Sequence, residues 1–387
     1  MNVSSAATNC ALVLGTSYLA QLSLKAALAA RYGGKLRSLA AVAREDEVTL
    51  VQPILSGDPA LEETLLENVL VLKRARFLWL VDTDDAVGLE LCGRISLAHR
   101  ERLIEIIPCP PPPQGINPKA HKLALALCRV ATPSFVVLDD DTRLSAAALS
   151  ALLNGLDTGA SLATGLPRYR AARGNYSSWL AEFVNSAAIL TYLPALNFTA
   201  PLSIQGMCYA MRTAEARRLD LFAEIARCLT DDLALAHALH CRNLRICQTV
   251  EPHDIATSVS TFRALRQILH RWFVFTRLLL DELPLRGRAA IALAYAVPPL
   301  MLAALCVAAV ASLSALGVLM LTLAFRAVVL GWVRRRFLGP QNGGLSLVSI
   351  IMELAQPAML AASCLRTKIV WRTRVIRVRS VDQFEYL

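Results

Sequence analysis

The chain has 387 residues, 55% of them hydrophobic, a mean hydropathy of +0.46 and a formal charge of +10. That apolar content exceeds what an ordinary soluble enzyme carries. The basic residues sit beside apolar runs with no interleaved aromatics of a nucleic-acid module, which points to anionic lipid headgroups and excludes a nucleic-acid partner.

The first 24 residues carry no charge, and Lys25, Arg31, Lys35 and Arg37 follow them. No basic segment precedes the apolar stretch and no small-residue cleavage site closes it, so a removed signal peptide fits poorly. Residues 1–40 read as a membrane anchor with a cytoplasmic basic flank, against a core helix of the soluble part. Strand-like and helical patterns then alternate. Val48–Pro53 is a strand, and residues 59–74 are helical. Arg76–Asp82 (RFLWLVD) is a second strand and Arg102–Ile107 a third, ahead of the stiff Cys109–Pro113 loop. Pro118–Arg129 is a helix with Asn117 at its cap and Pro118 at its first position. Residues 135–142 read FVVLDDDT, a buried strand that stops on Asp139, Asp140 and Asp141. Ala160–Leu166 and Met207–Met211 are later strands. The alternation predicts an α/β domain, Rossmann-like, with a mostly parallel sheet and helices on both faces.

The C-terminal part changes character. Phe262–Leu283 interleaves Arg263, Arg266, His270, Arg271 and Arg277 with Leu, Ile, Trp and Phe, the pattern of a basic amphipathic helix in a membrane interface. Ala289–Ala311 has no charged residue, Ser312–Trp332 has Arg326 alone, and Gly343–Leu365 has Glu353 alone. Runs of this length cross a bilayer core, although the lone acid leaves a re-entrant or interfacial third segment open. The expected organisation is an anchor and flank over 1–40, a catalytic domain over 41–258, an interfacial helix over 259–285, membrane helices over 286–375 and a tail over 376–387. The ten cysteines contain no C-x-x-C pair and read as buried thiols in a reducing compartment.

The acids carry the chemistry. Three adjacent carboxylates repel one another. They make sense either on a hard cation such as Mg²⁺ or Mn²⁺, shared with substrate phosphates, or as a helix cap. Asp82, Asp84 and Asp85 end a second strand, and Asp231 and Asp232 open a helix after Leu229-Thr230. Open α/β sheets bind ligands at that carboxyl edge. His237 and His240 share the helix of Asp232 and read as surface histidines.

In this order the motifs resemble the ceramide glucosyltransferase branch of the inverting glycosyltransferases, families 2 and 21, which share the GT-A fold. Carrying the resemblance are Gly115-Ile116-Asn117-Pro118-Lys119, the D-x-D of Asp139 and Asp141, Gly165-Leu166-Pro167, Gly206-Met207 with Met211-Arg212, the acid pair Asp231-Asp232, and Trp371-Arg372-Thr373-Arg374. Together they span roughly residues 45–375. The family's Q/R-x-x-R-W string is displaced: Arg271-Trp272 is intact, but Ile268 stands where Gln or Arg is expected and Gln267 is one residue early.

The resemblance implies a membrane-bound enzyme that moves a sugar, glucose first, from a UDP-sugar to a lipid hydroxyl of ceramide type. A hopanoid or other lipid acceptor, or a UDP-N-acetylglucosamine donor, is the alternative. Asp232 would be the catalytic base. Asp82, Asn117, Lys119, Asp139, Arg271 and Trp272 would contact the donor, and Asp139 and Asp141 would hold the divalent cation. Asp231, Gly206, Met207 and Cys208 would support the acceptor side, with Asp140 a bystander. The catalytic domain would face the cytoplasm from a bacterial inner membrane or its equivalent. A dehalogenase-type phosphatase also ends a strand on D-x-D, but it wants Thr or Val where Arg143 stands and uses the first strand. A processive polysaccharide synthase would need more membrane spans and an intact Q-x-x-R-W, and an idle scaffold would not need every acid.

Overall fold

The computed structural model describes residues 3–36, 44–171, 174–340, 346–371 and 374–387. Arg37, the Gly343–Leu345 start of the third apolar run, and Arg372 and Thr373 of the tail motif lie outside the described residues. The chain forms two compact units. One comprises Leu36–Ser178, Thr199–Ala264 and Arg374–Leu387; the other comprises Met1–Lys35, Trp179–Phe198 and Leu265–Thr373.

The first unit is built on an eight-stranded sheet. Its strands are β1 (Val48–Ile54), β2 (Arg76–Asp82), β3 (Leu103–Cys109), β4 (Ser134–Leu138), β5 (Thr142–Arg143), β6 (Leu162–Tyr169), β7 (Cys208–Arg212) and β8 (Ile246–Ile255), in the order β3-β2-β1-β4-β7-β6-β8-β5. β1 pairs in parallel with β2 and β4, β2 with β3, and β6 with β8. β7 runs antiparallel between β4 and β6, and β5 antiparallel to β8.

Alternation along each strand decides which face each side chain serves. Phe77, Trp79 and Val81 of β2, with Val136 and Leu138 of β4, pack under helices α2 (Leu61–Val71), α3 (Ala86–Ala98) and α5 (Ala146–Asp157). Leu78 and Leu80, with Phe135 and Val137, face α4 (Pro118–Leu127) and the helices that follow β7, α7 (Thr213–Leu219) and α8 (Leu221–Glu224). Between β1 and β2 the Trp79 indole donates to the Gln52 amide oxygen at 3.0 Å, satisfying a fully buried donor. β8 has no clear sequence signal, because Glu251, Pro252, His253 and Asp254 interrupt its apolar pattern. It pairs with β6 across a register shift between Thr164 and Leu166. There Gly165 lies against the His253 ring, and an added Cβ would come within 2.4 Å of Nδ1. The C-terminal segment adds a two-stranded antiparallel pair, Arg374–Val378 with Phe384–Tyr386.

The second unit is helical. It contains α1 (Val3–Leu36), α6 (Ser177–Tyr192), most of α10 (Phe262–Glu282), α11 (Leu285–Ile291), α12 (Val297–Ala311), α13 (Leu313–Leu338) and α14 (Leu347–Leu365). A π-helical turn over residues 292–296 joins α11 to α12. Five helical stretches, Ser4–Leu36, Ser177–Asn197, Leu285–Ala311, Leu313–Leu338 and Leu347–Leu365, are long and apolar enough to cross a membrane. Val310 and Leu313 are nearly nine-tenths exposed, as lipid-facing side chains would be. The second of these stretches falls inside the span 41–258 read as catalytic, yet Trp179–Phe198 clusters with the apolar helices.

α1 and α13 run side by side in the same direction. Thr8 meets Ser312, Gly15 meets Thr322, Tyr18 meets Arg326, and Gly33 meets the Phe337 ring. Small residues at the contact let the two backbones approach closely. The lone charges of the two apolar runs find each other here. Arg326 donates to Glu353 at 2.7 and 2.9 Å, to Tyr18 at 3.0 Å and to Ser349 Oγ at 2.7 Å, while Tyr18 donates to Glu353 at 2.9 Å. Glu353 therefore sits in a continuous helix, paired with Arg326 and Tyr18.

Candidate active site

Three elements bring the acids to the carboxyl edge of the sheet. β4 ends at Leu138 and delivers Asp139, whose amide donates to Met207 O at 3.0 Å. α9 (Asp231–Cys241) starts with both of its acids in the first turn, where the helix dipole favours negative charge. α4 carries Lys119. The Lys119 ammonium lies 2.7 Å from Asp139 Oδ1 and 3.3 Å from Asp231 Oδ2, and it donates to Gly206 O at 2.7 Å. Burial alone would lower the Lys119 pKa, but the Asp139 and Asp231 carboxylates outweigh it and hold it well above the ordinary value. The lysine is thus a fixed cation that gathers an acid from β4 and an acid from α9 beside the Gly206 turn.

Asp232 lies next to this bridge. Its Cβ would stand 3.2 Å from a Cβ added to Gly206, while Lys119 Nζ and Asp231 Oδ2 would each be 3.8 Å away. Gly206 is bare because the site closes over it. Desolvation, then the neighbouring Asp231 charge, pushes the Asp232 carboxyl above the usual carboxylate range. Two carboxyls in one pocket with one partner cation split in this way: Asp231 has the lysine, and Asp232 becomes the more basic group. A carboxyl tuned upward near a cleft is suited to take a proton.

The bridge is braced from behind. Asn117 is buried. Its amide oxygen caps α4 by accepting from Lys119 N at 2.9 Å and Ala120 N at 3.3 Å, and its amide nitrogen donates to Cys228 O at 3.1 Å and Leu229 O at 3.0 Å. Asn117 N also donates to Ala226 O at 2.7 Å. One side chain therefore ties the start of α4 to the lead-in of α9, and sets Lys119 against Asp231. These contacts make Asn117 a positioning residue for the bridge. Gly115, with φ +75°, makes the turn into this segment in a conformation that favours glycine.

The triple Asp divides into three tasks. Asp139 meets Lys119. Asp140 is buried and accepts from Leu55 N at 3.0 Å, pegging β4 to the end of β1. Asp141 Oδ2 accepts from Thr257 Oγ1 at 2.7 Å and Oδ1 accepts from Thr142 Oγ1 at 3.2 Å. Asp140 is no bystander to the fold.

Asp82, at the end of β2, lies 3.0 Å from Lys122 Nζ, which also donates to Ile54 O at 3.2 Å. Sequence reasoning missed Lys122. Its signal is the spacing, since Lys119 and Lys122 share one helix face at i,i+3. Asp85 caps α3 through Gly88 N and accepts from Ser56 N and Oγ. Met207 supplies its carbonyl to Asp139 N and its sulfur to the Tyr169 hydroxyl. Cys208 points into the core, where burial raises its thiol pKa and keeps it neutral. His240 bonds Pro201 O, in the loop before β7, at 2.7 Å, and the exposed His237 bonds Cys241 Sγ one turn on at 3.3 Å. Among the described residues no group of three or more His, Cys, Asp or Glu converges as a metal site. Arg271 and Trp272 belong to the helical unit, where Arg271 lies 5.5 Å from the Trp371 ring and Trp272 stacks on Phe183 at 6.4 Å.

The sheet order and the acids at its carboxyl edge fit the class to which the comparisons assign the chain, a glycosyltransferase of GT-A fold. The mannosyltransferase PcManGT from Pyrobaculum calidifontis, in complex with GDP-Man and Mn²⁺, superposes with a TM-score of 0.51 at 17% identity, covering 93% of this chain and 98% of that one. The chain belongs to glycosyl transferase family 21, whose model matches residues 10–383. A mycobacterial protein (TM-score 0.37, 14% identity, 60% of this chain and 77% of that one) is more distant. So is a 4-diphosphocytidyl-2C-methyl-D-erythritol synthase from Anaerococcus prevotii (0.38, 10%, 58% and 95%). Among curated proteins none matches.

Proposed function

We propose that the protein transfers a sugar from a UDP-sugar to the hydroxyl of a membrane lipid with inversion, glucose and a ceramide-type acceptor being the favoured pair. The observation that carries the reading is the convergence of Lys119, Asp139, Asp231 and Asp232 from α4, β4 and α9. Asp232 takes the proton of the acceptor hydroxyl as that oxygen attacks the anomeric carbon. The bond to the diphosphate breaks on the opposite face, so an α-linked donor yields a β-glycoside. Asp82 contacts the uracil, with Lys122 holding its carboxylate in place. Asn117 acts through Lys119, and Gly206, Met207 and Cys208 shape the turn on the acceptor side. For Arg271 and Trp272, which belong to the helical unit, a donor role rests on the family resemblance alone.

The charge balance supports a divalent cation. One lysine faces three carboxyls, Asp139, Asp231 and Asp232, and a diphosphate adds further negative charge. Mg²⁺ or Mn²⁺ needs only one or two protein carboxylates besides phosphate oxygens, so Asp139 and Asp141 fit as its holders. When bound it stabilises the departing diphosphate. The structural neighbour with Mn²⁺ and a nucleotide sugar is consistent with this.

The five apolar helices support a bilayer location. The basic ends of α1 and α13, with Arg31, Lys35, Arg334, Arg335 and Arg336, favour a cytoplasmic catalytic domain. The test is radiolabel transfer from UDP-glucose, UDP-N-acetylglucosamine, UDP-galactose and GDP-mannose into total lipid extract, with and without EDTA. A lipid product from UDP-glucose that EDTA abolishes is expected. No lipid product from any donor overturns the reading.

A further inference from the structure

The helical unit holds a cavity of about 90 Å³ whose lining includes Tyr18, Gln21, Lys25, Tyr295, Arg326 and Glu353. All six belong to that unit. A buried water needs roughly 10–15 Å³ of such space, so the cavity has room for a tetrahedral oxyanion. Its charge is not balanced. Arg326 and Glu353 neutralise each other, as described above. The close contacts of Lys25 are different: its ammonium donates to Ala294 O and lies 4.5 Å from the Tyr295 ring centre. Neither group carries a negative charge, and the carboxylate that acts on Lys25 is Glu353, already bridged to Arg326, so two cations share one acid. Gln21 adds a second donor, spent on Leu293 O at 2.8 Å.

A lysine among membrane helices is costly unless it meets an anion or reaches the interface. Lys25 stands six residues before Arg31, about 9 Å along the helix at 1.5 Å per residue. It therefore lies on the side of the cavity toward the basic ends of α1 and α13, at a depth that lipid phosphates reach. Basic pockets between membrane helices take anionic headgroups. We propose that this cavity binds the phosphate of an anionic phospholipid, with Lys25 as its charge partner and the Arg326–Glu353–Tyr18 cluster as its rigid floor. The site is independent of the transfer reaction, and its lipid is a resident of the helical unit.

The full chain, purified in detergent and stripped of lipid, is placed in nanodiscs of phosphatidylcholine containing phosphatidylglycerol. Co-purifying lipid is then counted by native mass spectrometry. The expected result is retention of phosphatidylglycerol at least tenfold above its share of the disc. Lys25→Met abolishes the enrichment, Lys25→Arg keeps it, and Lys35→Met at the exposed end of the same helix keeps it. Inorganic phosphate at millimolar concentration leaves the lipid in place. Equal retention by Lys25→Met, no preference over phosphatidylcholine, or displacement by free phosphate overturns the proposal. Should Lys25→Met not fold, Lys25→Gln and Gln21→Leu carry the same comparison.

Discussion

Two clusters of buried charge, one in each unit, solve opposite problems. In the helical unit one arginine meets one glutamate, a tyrosine and a serine, and every strong group is matched. In the sheet unit one lysine is shared by two aspartates while a third, Asp232, sits alongside without a cation of its own. The balanced cluster is built for permanence, since a paired charge in an apolar setting locks helices together. The unbalanced one suits the proposed reaction, which asks its excess of negative charge to take a cation and its odd carboxyl to exchange a proton. Satisfaction marks structure, and a deliberate shortfall marks chemistry.

Removing the odd carboxyl is the most severe way to test that contrast. Asp232→Asn is expected to cut the transfer rate on the order of 10²–10⁴-fold while nucleotide-sugar affinity, followed by calorimetry, stays within a few-fold. Full activity in this variant would mean that the proton leaves by another route. Breaking the balanced cluster acts on stability instead. Arg326→Met or Glu353→Leu alone strands a buried charge, and each is expected to cost about 3–5 kcal/mol, read by thermal unfolding in detergent. The double variant is expected to recover most of that loss. Additive loss in the double variant would show that the pair is not coupled.

The pH profile separates the two clusters further. As the proposed base Asp232 would work deprotonated, and its pKa is raised by burial and by the Asp231 charge. The limb of kcat/KM should therefore climb with pH, with its midpoint above the ordinary carboxylate range. Asp231→Asn removes the repelling charge and is expected to move that midpoint down. The same raised pKa means that the folded state binds this proton more tightly than the unfolded chain. Stability from Asp232 is present below the unfolded value and declines as pH rises toward the folded one. Asp232→Asn should flatten that part of the melting-temperature profile. The smallest effect is steric. Gly206→Ala puts a methyl 3.2 Å from the Asp232 Cβ; overpacking of this kind costs about 1 kcal/mol, visible as a several-fold loss of rate with an unchanged fold.

Much of this was legible in the chain. RFLWLVD and FVVLDDD announce buried strands that end on acids, because period-two burial and like-charge clustering survive any context. Asn117-Pro118 announces a helix start, because capping is a local matter. β8 was not legible: Pro252 and three polar neighbours hide a strand that only pairing with β6 reveals. The Ser177–Asn197 stretch was read as part of the catalytic span, since moderate hydropathy does not say which unit a helix joins. Lys122 went unnoticed because its meaning depends on Asp82, far away in the sequence.

The sequence by itself determined the class of fold, the order of the acidic motifs, the apolar helices and the lone charges Arg326 and Glu353, all of which rest on local composition and spacing. Only the tertiary structure decided what those charges meet. It paired Arg326 with Glu353, shared Lys119 between Asp139 and Asp231, gave Asp140 to a backbone amide, and set Lys25 beside a cavity whose acid, Glu353, is already bridged to Arg326. The reason is physical. A charge's role is set by the few groups within about 4 Å of it and by the water it has lost, and both are properties of the folded chain.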